Sequence, residues 1–128
     1  MDTGTIKDLI GKTMRDVRNV NDAEIVFATD SGGGYRFYHS QDCCESVTVE
    51  EIHGDLGDLV GVPILRAEER SSRGKPPPHK KNYEDPEECT WTFYEFATIK
   101  GSVTIRWLGQ SNGYYSEEVS FEVIENPG

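Results

Sequence analysis

The sequence predicts an α+β, mainly β fold: an antiparallel sheet of about six to eight strands with one or two short helices. Three observations predict it. Short runs of β-branched and aromatic residues alternate in polarity from residue 13 to residue 124, the period of strands that bury one face. Asn-Asp, glycine and proline signals interrupt these runs, as hairpin connections require. The chain has 128 residues, 35% of them hydrophobic, enough for one core but not two, so residues 1–128 are expected to form a single domain.

Thr3 or Thr5 can cap a short helix carrying Ile6, Leu9 and Ile10 on one side and ending at Gly11. Residues 13–20 and 24–29 read as a hairpin turning at Asn21-Asp22, and Asp30 to Gly34 as a second turn leading into a strand at 35–40. A strand at 47–52 follows, then one helical turn at 55–60 before Gly61 and Pro63, then a strand at 63–69. The stretch at about 70–88 carries four prolines and many charges with almost no apolar residues, and is expected to be a mobile basic, Pro-rich loop. Residues 89–98 put Trp91, Phe93 and Ala97 on one face and Thr92, Tyr94 and Phe96 on the other, the mark of a central strand. After a turn at 99–102, Val103, Ile105 and Trp107 alternate with Thr104, Arg106 and Leu108, which turns Arg106 away from the apolar face. Val119, Phe121 and Val123 alternate in a last strand.

The formal net charge of −10 disfavours bulk nucleic acid and anionic lipid as partners. One segment reverses it. Arg66, Arg70, Arg73, Lys75, Lys80 and Lys81 meet only Glu68 and Glu69, a local excess of about +4 suited to a small anion. No apolar run approaches the roughly 20 residues of a membrane span, and the N-terminus is polar and mixed in charge. Three cysteines, two of them adjacent at Cys43 and Cys44, make no paired disulfide framework. A reduced, cytoplasmic protein is expected.

Two segments concentrate polar and reactive groups. Tyr35 to Glu45 brings Arg36, His39, Asp42, Cys43 and Cys44 to a strand end. Adjacent cysteines do not easily share one tetrahedral ion, and neither C-x-x-C nor H-x-x-x-H occurs, so no metal is expected. A nucleophilic site would pair a cysteine with His39 or His53; the plainer alternative is a tight turn with one cysteine in the core. Arg106 to Glu117 joins a strand arginine to Asn112, Tyr114 and Tyr115. These residues form either a hairpin connection or a site in which tyrosines stack on a base, Asn112 or Gln110 reads its edge and Arg106 meets phosphate. Gly32 to Gly34 lacks the lysine and spacing of a phosphate loop, and no carboxylate pair stands out. No enzyme activity and no cofactor are expected.

The segments His39 to Glu45, Thr90 to Tyr94, Ile105 to Trp107 and Ser111 to Ser116 resemble a family of small phage and prophage proteins, most without assigned function. More narrowly, the chain resembles the first Thoeris anti-defence family, sponge proteins that bind cyclic ADP-ribose-type signals and, in some members, cyclic oligonucleotides. The resemblance implies sequestration of a small anionic nucleotide ligand without cleavage, in a homodimer or larger oligomer in the host cytoplasm. It implies that Arg106 and Arg36 act as strand arginines on phosphate and that Asn82 and Tyr83 supply the closing loop; the two polar segments themselves add His39, Asn112, Tyr114 and Tyr115 as ligand contacts. Pro76, Pro77 and Pro78 and the tyrosine at 83 depart from the family's loop pattern. The competing expectation is an acidic phage accessory protein that inhibits a host protein by direct interaction or DNA mimicry.

Overall fold

A computed structural model describes residues 6–39, 46–74, 89–110 and 119–124. The chain is mainly β. Among the described residues eight strands run in order β1 (Met14–Val20), β2 (Glu24–Thr29), β3 (Gly34–Tyr38), β4 (Ser46–His53), β5 (Arg66–Gly74), β6 (Cys89–Thr98), β7 (Gly101–Gln110) and β8 (Ser120–Ile124). They form two four-stranded antiparallel sheets, ordered β1-β2-β3-β8 and β4-β7-β6-β5. The expected helices are single 3-10 turns, Ile6–Leu9 and Leu56–Leu59. Among the described residues no helix is long and apolar enough to cross a membrane.

The sheets pack face to face through apolar side chains that both turn toward one core. Ile25 and Phe27 of β2 and Tyr35 and Phe37 of β3 meet Val47 and Val49 of β4, Tyr94 and Phe96 of β6, and Val103, Ile105 and Trp107 of β7 in one core. Rings bridge the sheets: Phe27 lies 5.0 Å and Phe37 5.9 Å from Phe96, and Phe37 lies 4.6 Å from Tyr94, between centroids. A fully buried Phe or Leu contributes about 1.5 to 3 kcal/mol through removal of apolar surface from water. These aromatic pairs add their edge and offset contacts.

The β1–β2 turn holds Asn21 (φ 54) and Asp22 (φ 59) in the left-handed region, which Asn and Asp tolerate better than other non-glycine residues. Asn19 locks it, donating from Nδ2 to Asp22 Oδ1 (2.8 Å) and accepting from the Asp22 amide (3.0 Å). The Asp22 carbonyl then accepts from the Val49 amide at 2.7 Å, joining this turn to the second sheet.

β5 corrects the sequence expectation. The strand starts at Arg66, not at 63, and continues through Gly74, five residues into the stretch expected to be loop. Its residues pair with β6 from Arg66↔Ala97 to Gly74↔Cys89. An edge strand needs a partner backbone more than an apolar face, and of its side chains from 66 to 72 only Ala67 is buried. Residues 75–88 lie outside the described residues.

Candidate functional site

Arg36 stands on the outer face of the first sheet, since its neighbours Tyr35 and Phe37 point inward. It is already neutralised. Its Nη1 lies 3.3 Å from Glu24 Oε2 and its Nε 3.2 Å from Glu122 Oε1, and its guanidinium sits 3.9 Å from the Tyr38 ring centroid. Tyr38 donates to Glu122 at 3.3 Å. Burial alone would lower the Arg36 pKa, but the hydrogen bond with Tyr38 and the charges of Glu122 and Glu24 outweigh it and raise it. Two carboxylates around one guanidinium leave this patch net negative, a poor place for an anion. His39 directly follows β3 and is half-buried.

Arg106 stands on the outer face of the second sheet, as alternation requires. Val103, Ile105 and Trp107 are at most 1% exposed, whereas the Arg106 side chain is 32% exposed. The register lays a row across four strands: Arg70 of β5 opposite Phe93 of β6, Phe93 opposite Arg106 of β7, and Arg106 opposite Glu51 of β4. The Arg70 guanidinium lies 5.2 Å from the Phe93 centroid and the Arg106 guanidinium 4.9 Å from that of Trp91, one pleat along β6. Both Trp91 and Phe93 are half-buried. Arg106 Nη2 contacts Glu51 Oε1 at 2.9 Å, while its Nε is buried with no hydrogen-bond partner among the described residues. Among those residues no carboxylate pairs with Arg70; Glu95 is taken up by Arg66, which also lies 3.9 Å from Glu68.

The face has a closed end and an open end. Leu108 and Gln110 of β7 and Cys89 of β6, on the same side by register, are 2% exposed or less. Toward β5, Phe93 and Arg70 continue into a hollow of about 380 Å³ lined also by Ile6, Lys7, Glu68, Glu69 and Glu95, so the anion-binding part of the face is the stretch between Arg70 and Arg106 and not the acidic hollow. Two cations and two partly open rings on strands paired along their whole length can hold a planar anion: rings stack on a base, and guanidiniums meet phosphate. Residues 7–121, which include all of this face, match the family described as a domain of unknown function, DUF7448. The chain belongs to the DUF7448 family. No curated protein and no solved structure matches it.

In this DUF7448 chain the sequence-predicted residues fall into three groups. Arg36 belongs to the first sheet, with His39 just beyond the end of its strand, and Arg106 belongs to the second, and the two arginines point outward on opposite sides of a core about 10 Å thick. One small ligand cannot touch both in a single chain. Asn82, Tyr83, Asn112, Tyr114 and Tyr115 lie outside the described residues, as do Cys43 and Cys44. Trp91, Phe93 and Arg70 were not foreseen as site residues. Their signal was present: a strand with aromatics on both faces, in a chain long enough for one core, must turn one aromatic face outward whenever its sheet has a single packed side.

Proposed function

We propose that the protein is a binding module that sequesters a small anionic nucleotide ligand on the outer face of its second sheet, without cleaving it. The observation that carries this reading is the Arg70–Phe93–Arg106 row with Trp91 beside it. Base stacking on an exposed ring is worth about 1 to 3 kcal/mol, and a guanidinium contact to phosphate adds a charge-assisted bond. The strand Arg106 opposite the core supports the role that the Thoeris anti-defence resemblance implies, a phage-encoded sponge for a cyclic ADP-ribose isomer or cyclic oligonucleotide, acting in the host cytoplasm as a homodimer or larger oligomer. Arg36, with its two carboxylates, is dropped from the proposed phosphate contacts.

Calorimetry against cyclic ADP-ribose isomers and cyclic di- and trinucleotides tests the reading. Binding at micromolar affinity or tighter, about −8 kcal/mol, with intact ligand recovered after the complex is heated, is expected. No binding across that panel rejects it, and recovery of cleaved ligand rejects sequestration. Sedimentation of the purified protein tests the oligomer.

A further inference from the structure

The Arg106 guanidinium is not open to a ligand as it stands, because Glu51 holds it. A break in strand register puts Glu51 there. A β-bulge between Val49 and Glu51 breaks the register with β7, so an extra residue lets Ile52 return to the core side while Glu51 faces outward, opposite Arg106. Glu51 Oε1 then lies 2.9 Å from Arg106 Nη2 and 3.0 Å from His53 Nε2. A carboxylate oxygen at that distance from a guanidinium occupies the place a phosphate oxygen would take.

We infer that Glu51 is an internal competitor for the anion site, setting its affinity and excluding ligands that offer charge without a stacking ring. The inference rests on the reading of Arg106 as a phosphate contact. A free phosphate or pyrophosphate must displace Glu51 with electrostatics alone, whereas a nucleotide also gains the Trp91 and Phe93 ring faces. Bulges that re-aim one side chain occur beside functional sites, and an unfavourable charge that penalises the wrong ligand is a recognised source of specificity. His53 Nε2 shares the Glu51 oxygen that Arg106 contacts, so it competes with the guanidinium for Glu51.

Inorganic pyrophosphate and ADP, titrated into the full chain, are the probes. Glu51→Gln keeps the shape and removes the charge, and Glu51→Thr is a second, strand-favouring variant at a site 42% exposed; melting temperatures establish that both fold. Removal of a partly exposed competing carboxylate is expected to tighten pyrophosphate binding about two- to fivefold, and His53→Ala is expected to weaken it. The ADP gain is expected to be smaller, so the preference for nucleotide over pyrophosphate narrows. Pyrophosphate affinity unchanged in both folded Glu51 variants overturns the inference. If pyrophosphate tightens while neither wild type nor variants bind any nucleotide, the competitor role stands and the nucleotide reading falls. Nucleotides bound equally by wild type and variants leave that reading intact and overturn the role of Glu51.

Discussion

Two contact energies separate the possible roles of Arg106, that of its ion pair with Glu51 and that of the proposed contact with phosphate. Its ion pair with Glu51 joins side chains 32% and 42% exposed, and such pairs contribute about 0.2 to 1 kcal/mol to stability. A guanidinium–phosphate contact in a partly dry site is worth about 2 to 3 kcal/mol. Arg106→Ala should therefore lower nucleotide affinity by that amount and barely move the melting temperature, and Arg106→Lys should recover only part of the binding, since the ammonium lacks the planar fork. A fall in melting temperature with affinity intact would make Arg106 a structural residue. Trp91→Ala tests the stacking surface in the same titration. It should cost about 1 to 3 kcal/mol with bases and leave pyrophosphate binding nearly as it was; an equal loss for both ligands would contradict stacking.

At the scale of elements, strands with a buried face were legible and edge strands were not. β6 occupies the predicted residues 89–98, and β7 presents Arg106 on the predicted side, because apolar side chains there recur with period two. The Asn21-Asp22 turn was legible for the same kind of reason: few residues accept its positive φ. β5 was read to end at Glu69 because Arg70, Ser71 and Ser72 are exposed and show no apolar period; its signal is the length of β6, which no local pattern in β5 carries. The candidate face was half legible. Arg106 was found by alternation, but its neighbours depend on register with β5 and β4, a long-range property, and on the bulge at Glu51. Two sheets in place of one likewise follow from pairing order. Gly54, at the end of β4, illustrates such a hidden constraint: it has φ +107, and a Cβ there would stand 2.6 Å from the Ser102 carbonyl oxygen. Gly54→Ala should destabilise the fold by about 1 to 3 kcal/mol through strain and backbone clash, measured as a lower urea midpoint. An unchanged midpoint would mean the β4–β7 end relaxes freely.

For the molecule as a whole, the core between the sheets is aromatic and includes hydroxyls, and this couples folding to alkaline pH. Tyr94 is 2% exposed, and its hydroxyl donates to Glu69 Oε2 at 3.2 Å. Burial, then the Glu69 charge and that hydrogen bond, push its pKa well above the usual tyrosine range. Tyr35 is raised too, by burial and then by the charge of Asp8. In the unfolded chain both phenols ionise near pH 10, while in the folded chain they keep their protons to higher pH. The folded state therefore binds more protons above about pH 10, and by linkage stability must fall there as pH rises. The stabilisation is complete below the unfolded pKa and is lost as pH climbs toward the folded one. Each retained proton steepens the loss by about 1.4 kcal/mol per pH unit. Tyr94→Phe removes one such group. At neutral pH it should cost only the hydrogen bond to Glu69, about 0.5 to 1.5 kcal/mol, because the ring remains packed against Phe37. Urea unfolding from about pH 9 to about pH 11 should show wild-type stability falling more steeply than that of Tyr94→Phe, the two curves converging or crossing as the neutral-pH deficit is offset. Parallel curves across that range would mean that the Tyr94 proton leaves as easily in the folded protein as in the unfolded chain, and that the inter-sheet core admits water at β6.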